Sequence, residues 1–132
     1  METESATKRK PCVLLVEDEP TQSLLLKKML CAQCDVHQAF DGREALRMLY
    51  TQDFDYVLMD INLGDGFLSG FHLIDYIRMQ DRFTNLRVIA VTGERFDALR
   101  EHGSFQKFDD YVPKPVEPRK LIDAIGKFSM QD

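Results

Sequence analysis

Val13-Leu14-Leu15-Val16 runs directly into Glu17-Asp18-Glu19, and the reading of the whole chain turns on this stretch. A strand with one face in water alternates apolar and polar side chains, whereas four apolar residues in succession belong to a strand covered on both faces, as in parallel sheets flanked by helices. Runs of the same kind recur at Tyr56-Val-Leu-Met59, which ends in Asp60, and at Val88-Ile-Ala-Val91, which ends in Thr92. Two weaker runs, Asp35 to Ala39 and Asp110 to Val112, are predicted to be the outer strands.

Helical spacing fills the intervals. Leu26, Met29 and Leu30 form one stripe, and Asp41-Gly-Arg-Glu44 reads as an N-cap with its capping box ahead of Leu46, Leu49 and Tyr50. A third helix follows Gly70 with Leu73, Tyr76 and Ile77, and a weakly patterned one is predicted over Arg95 to His102. The last opens at Glu117-Pro118, where proline suits a first turn, and aligns Leu121, Ala124, Ile125 and Phe128. Five strands, each followed by a helix, make a (βα)5 chain. Right-handed crossovers wind such a chain into a doubly wound α/β fold around a parallel five-stranded sheet.

The 132 residues suit one domain, placed at 11–129 after a polar, flexible tail over 1–10. Apolar residues at 44% and charged ones at 30% fit a soluble globular protein. Seventeen basic against twenty-two acidic side chains leave a net charge of −5, which speaks against a nucleic-acid or anionic-membrane surface. No apolar run approaches the length of a membrane span and the first ten residues lack a signal-peptide core, so a cytoplasmic location is expected. Three cysteines make no disulfide framework. Cys31 and Cys34 form a C-x-x-C that could be redox-active or half a metal site, but no second ligand pair stands at zinc spacing; a helix end and a strand start using small buriable thiols is the simpler reading. None of His37, His72 and His102 has a partner pattern for catalysis or phosphotransfer.

In open α/β sheets function gathers beyond the carboxyl ends of the strands. Those ends carry Glu17-Asp18-Glu19, Asp60, Thr92 and, after Val112-Pro113, Lys114-Pro115. If strands one and three are neighbours, Glu17, Asp18 and Asp60 crowd together and repel unless a cation sits among them. Hard oxygen ligands with room for water suit Mg²⁺. A carboxylate beside such an ion can act as a nucleophile toward phosphorus, with a lysine neutralising charge on the transferring oxygens and a threonine hydroxyl donating to them. Taken singly, an aspartate at a strand end is usually a helix cap and a lysine before proline is usually solvated. The set reads differently, because acid pair, Asp, Thr and Lys-Pro fall in order on strands one, three, four and five.

These residues resemble the receiver domains of two-component signalling, and the resemblance runs from about Pro11 to Phe128. Val13-Leu-Leu-Val-Glu-Asp-Glu19 is similar to the first strand with its acidic pair, Leu58-Met-Asp-Ile-Asn-Leu63 to the phosphoacceptor segment, and Ala90-Val-Thr92 and Tyr111-Val-Pro-Lys-Pro115 to the segments of the switch threonine and lysine. The resemblance implies a flavodoxin-like strand order 2-1-3-4-5. It makes Asp60 the phosphoacceptor, with Thr92 and Lys114 at the phosphoryl group. Mg²⁺ would be held by Asp18, Asp60 and the Asn62 carbonyl, and by Glu17 largely through water. Thr92 and Tyr111 would be the switch pair, the Lys114-Pro115 bond cis, and Asn62 and Glu94 the positions that tune autodephosphorylation, here toward a short-lived phosphorylated state. The donor would be a histidine kinase or histidine phosphotransfer protein. Output would pass to a downstream protein target, and the face made by the fourth helix, fifth strand and fifth helix allows a weak homodimer.

Two stretches depart from the family pattern. Asn62-Leu-Gly-Asp-Gly-Phe-Leu-Ser-Gly70 replaces the usual proline and glycine after the phosphoacceptor, and Gly103-Ser-Phe-Gln-Lys-Phe-Asp109 replaces a small-residue turn before the last strand. Other readings remain. A flavodoxin would need a phosphate-cradling loop where Glu17-Asp-Glu19 would repel the anion. A haloacid-dehalogenase-type phosphatase carries its Asp-x-Asp on the first strand, whereas Asp60-Ile-Asn62 lies on the third. A receiver-like module that signals without phosphorylation would not need the full Asp60, Thr92 and Lys114 set. Few residues follow Phe128 in this sequence, and Met1 with its tail mildly favours a stand-alone protein over a receiver excised from a larger hybrid kinase or regulator.

Overall fold

The computed structural model describes residues 10–63, 69–93 and 101–129, with side chains to residue 126. Its strands are β1 (Cys12–Val16), β2 (Asp35–Ala39), β3 (Tyr56–Asp60), β4 (Arg87–Thr92) and β5 (Asp110–Pro113). Its α-helices are α1 (Pro20–Leu30), α2 (Gly42–Thr51), α3 (Gly70–Met79) and α4 (Pro118–Ser129). The strands form one sheet in the order β2-β1-β3-β4-β5, every pair parallel. The doubly wound fold expected from the sequence, and the strand order that the resemblance implied, are therefore observed.

Strand periodicity divides the core in two. Leu14, Val16, Val57, Met59 and Ala90 point to one face, where Ala45 and Leu49 of α2 and Leu73, Ile74 and Ile77 of α3 cover them. Val13, Leu15, Leu58, Ile89 and Val91 point to the other, beneath Leu26 and Leu30 of α1 and Leu121, Ala124 and Ile125 of α4. The apolar runs at Val13–Val16, Tyr56–Met59 and Val88–Val91 are buried throughout. Each valine, leucine, isoleucine or methionine among them contributes about 1.5–3 kcal/mol relative to exposure.

The helix starts follow local chemistry. Pro20 opens α1, and the Glu19 carboxylate accepts the Gln22 N–H at 2.7 Å. Asp41 accepts the Glu44 N–H at 2.8 Å, and Glu44 reaches back past the cap to the Phe40 N–H at 2.9 Å, a capping box displaced by one residue. Ser69 and His72 cap α3 reciprocally, side chain to backbone, at 3.4 Å each way. Arg78 on α3 braces the far half of the sheet, donating to the carbonyls of Leu86 at 2.9 Å and Lys107 at 3.0 Å and pairing with Asp109 at 2.9 Å.

Two aromatic positions depart from the expected helix stripes. Tyr76 is not on the buried stripe of α3; Ile74 is, and Tyr76 lies on the surface with its hydroxyl 3.0 Å from that of Tyr50, itself exposed on α2. Both phenols keep their polar tips in water, which a count of apolar spacings does not register. Cys31 is exposed, Cys34 is buried and both are free thiols at a helix end and a strand start. Most of the helix predicted over Arg95 to His102, the Gly64–Leu68 part of the departing loop, and the Phe128 side chain lie outside the described residues. Glu101 to Ser104 form turns that lead into a short 3-10 helix, Phe105–Lys107.

One backbone contact fixes α3 against β3. A Cβ at Gly70 would lie 2.7 Å from Ile61 Cα, 2.9 Å from Ile61 O and 3.0 Å from Asp60 O, and the Gly70 N–H donates to Ile61 O at 3.0 Å. Backbone atoms cannot rotate away from a methyl group, so Gly70→Ala is expected to destabilise the chain by roughly 2 kcal/mol, the scale of overpacking. Urea unfolding checks this, and a loss below about 0.5 kcal/mol would show that α3 can move off β3 freely.

Candidate functional site

Parallel register brings the chemistry to one rim. Val16 lies beside Met59 and Asp60 beside Val91, so Glu17, Asp60 and Thr92 stand at the ends of three adjacent strands. Thr92 is fully buried, and its carbonyl accepts the Lys114 N–H at 2.8 Å. That bond carries the β4–β5 pairing one residue past the end of β5, and the Lys114-Pro115 peptide is cis, as the resemblance implied.

Asp60 is only 5% exposed. Its Oδ1 accepts the Asn62 N–H at 3.0 Å and its Oδ2 pairs with Lys114 Nζ at 3.0 Å. Glu17, 1% exposed, accepts the Glu19 N–H on Oε2 at 3.2 Å, while its Oε1 is buried without a partner. Asp18 is exposed and completes a cluster in which one oxygen from each of Glu17, Asp18 and Asp60 lies within 4.8 Å of the others. Glu19, the third acid of the run, turns away and caps α1.

Burial, and after it the neighbouring Asp60 charge, pushes the Glu17 carboxyl up to about 7, against the smaller opposing pull of Lys114. An unpartnered buried carboxylate oxygen facing two more carboxylates is a donor set that a small hard cation satisfies. An open groove of about 670 Å³ exposes this rim, walled by Leu25, Leu26 and Met29 of α1 and by Pro115 and Val116.

The apolar wall from α1 escapes a reading based on charged motifs, although Leu24 and Leu25 stand off the buried stripe and are about half exposed. Gly70 behind Asp60 is also silent in the sequence, because only the fold shows what a side chain would strike. Tyr111, on β5, is half-buried: its hydroxyl donates to the Phe105 carbonyl and its ring stacks on Phe105 at 4.5 Å. Burial pushes its phenol up to about 12. Glu94 lies outside the described residues.

The Glu17 shift carries a sign. An unfolded glutamate releases its proton near 4.5, and Glu17 holds its own to about 7. Between those values the folded chain binds more protons than the unfolded one, so this group lowers stability as pH rises from about 4.5 to 7. With divalent metal chelated, Glu17→Gln is expected to gain about 1–3 kcal/mol on the wild type between pH 5 and pH 8 in urea unfolding. A difference that does not vary with pH would contradict the assignment.

Residues 13–126 match the family model described as the response regulator receiver domain. Over 112 residues, 84% of this chain, the sequence is 35% identical to the aerobic respiration control protein ArcA of Escherichia coli K12, and over 116 residues it is 27% identical to hybrid signal transduction histidine kinase D of Dictyostelium discoideum. The matched regions are 45% and 7% of those proteins, so the chain spans less than half the length of either. The receiver domain of a Pseudomonas aeruginosa sensor histidine kinase superposes with a TM-score of 0.80 at 29% identity, covering 90% of this chain and 97% of that one; its structure carries a magnesium ion in the active-site cleft. With β1 to β5 in the same order and the acids, threonine and lysine converging at their ends, the chain belongs to the response regulator receiver domain family.

Proposed function

We propose that the chain is a phosphorylation-controlled switch that accepts a phosphoryl group on Asp60 from a histidine kinase or histidine phosphotransfer protein and signals by protein–protein contact. The observation that carries this reading is the buried Asp60 carboxylate, paired with Lys114 at 3.0 Å and clustered with Glu17 and Asp18 along one open groove. Attack by an Asp60 oxygen on phosphorus forms the acyl phosphate as the donor's phosphorus–nitrogen bond breaks, and the released imidazole takes up a proton. Lys114 neutralises charge on the phosphoryl oxygens, and the Thr92 hydroxyl donates to one of them. The Asn62 N–H, now on Asp60 Oδ1, orients the attacking carboxylate.

Glu17, Asp18, Asp60 and the Asn62 carbonyl would hold Mg²⁺, as the donor chemistry of the cluster supports. When bound, the ion supplies charge neutralisation for the transferring group. Tyr111 would follow Thr92 as the switch residue, relaying the change to β5 and α4, a surface that would also serve a weak homodimer. The small share of the hybrid kinase that this chain matches favours a second setting, in which the same switch is one module of a longer phosphorelay protein. No helix among the described residues is long and apolar enough to cross a membrane, in keeping with work in the cytoplasm.

Acetyl phosphate with Mg²⁺ is expected to add one phosphoryl group to the intact chain, read as a mass increase, and Asp60→Asn is expected to abolish it. Undiminished labelling of that variant would overturn the assignment. Chelation of Mg²⁺ should suppress labelling at least tenfold. By the family resemblance the positions of Asn62 and Glu94 tune autodephosphorylation, and a polar residue at each would favour access of water, so the acyl phosphate should be short-lived. A bulky apolar residue at either position is expected to lengthen its lifetime severalfold by hindering in-line approach. Unchanged decay in both variants would remove them from this role.

A further inference from the structure

The rim of the sheet opposite Asp60 carries a second cluster of ligand-type side chains. β1 and β2 begin side by side with Cys12 opposite Asp35, and His37 follows two residues along on the same face of β2. The Cys12 sulfur, an Asp35 carboxylate oxygen and a His37 ring nitrogen all lie within 4.8 Å of one another. The imidazole is held from two sides, with Nε2 3.4 Å from Asp35 Oδ2 and its ring edge-on to Phe54 at 5.6 Å. Cys12 is half-buried, and its backbone is anchored by the Asp55 carboxylate at 2.7 Å. A groove of about 680 Å³ opens beside Cys12 and Asp35.

From this geometry we propose that Cys12, Asp35 and His37 form a transition-metal site of zinc type, with water in the fourth position. A thiolate, an imidazole and a carboxylate are the mixed sulfur, nitrogen and oxygen set that Zn²⁺ takes, while a thiolate deters Mg²⁺. Bonds of roughly 2.0–2.3 Å at tetrahedral angles put ligand atoms about 3.3–3.7 Å apart, a spacing that atoms already within 4.8 Å of one another approach. Binding releases the Cys12 thiol proton. The groove beside the site is lined by two lysines, Lys10 and Lys27, and two aspartates, Asp35 and Asp53. The Cys31-x-x-Cys34 pair joins no cluster of three ligand-type side chains among the described residues, and the Cys31 thiol donates to the Lys28 carbonyl at 3.7 Å. Once filled, the site would tie the outer strand β2 to β1 at the end of the sheet away from phosphorylation. A histidine–aspartate surface pair that happens to lie near a cysteine is the competing account.

The full 132-residue chain, reduced with a non-thiol reductant and held in excess Mg²⁺ to occupy the carboxylate rim, is titrated with Co²⁺. The expected result is a thiolate-to-cobalt charge-transfer absorption that saturates at one equivalent and is removed by Zn²⁺. Cys12→Ser should abolish the absorption and His37→Gln should weaken Co²⁺ binding at least tenfold, whereas Asp60→Asn and the double variant Cys31→Ser/Cys34→Ser should retain it. Absence of the absorption in the wild type, its survival in Cys12→Ser, or its loss in the Cys31/Cys34 variant would overturn the site. If circular dichroism shows Cys12→Ser unfolded, His37→Gln decides, and wild-type affinity there counts against the proposal. Asp60→Asn separates this site from the switch, since it removes phosphorylation and leaves the cobalt signal.

Discussion

Repulsion between Glu17 and Asp60 at neighbouring strand ends is the constraint around which the rim is built. Both carboxylates are almost wholly buried, where a charge without a partner is costly. Asp60 is relieved by Lys114 and by the Asn62 N–H, while Glu17 has one oxygen on the Glu19 N–H and the other on nothing. The result is two carboxyl groups in different condition within one cluster, one held in an ion pair and one retaining its proton toward neutrality. Lys114 can take part because β5 ends beside Thr92 and the backbone bond from Lys114 to the Thr92 carbonyl holds it at the same rim. The site therefore depends on strand order as much as on residue identity.

How much of this the sequence discloses differs from part to part. The buried runs were legible because strands covered on both faces have little choice of residue, and Leu121, Ala124 and Ile125 declared their helix by spacing alone. Asp60, Thr92 and Lys114 were legible as a set because each follows an apolar run. Tyr50 and Tyr76 misled, since an aromatic ring at a core spacing can lie on the surface when its hydroxyl has somewhere to go. Gly70 gave no signal, for its importance lies in the nearness of the Ile61 backbone, a distance created by folding. The cap role of Glu19 was not read from the sequence, and the turn into α1 shows it.

The two ends of the sheet differ in chemistry for a topological reason. Parallel strands share a direction, so every residue that ends a strand meets at one rim and every residue that begins one meets at the other. Hard carboxylate oxygens gather at the first, and a thiol and a carboxylate at the second, with an imidazole two residues further along β2. The apolar runs of β1 between Cys12 and Glu17 keep the two rims apart, and the helices on each face seal the interval from water.

The outer strands bear on how the protein behaves at high concentration. An open sheet presents an unpaired backbone along each margin, a template for any extended segment that drifts alongside. Here one margin is β2, five residues long, which starts on an exposed aspartate and keeps most of its side chains partly in water. The other is β5, four residues long, which starts on Asp110 and ends on Pro113, a residue with no N–H to give. Short length, like charge at the start of both margins and a missing donor leave little for a neighbouring molecule to extend, so the features that make these two segments the faintest strands in the sequence also guard the folded chain against strand-by-strand aggregation.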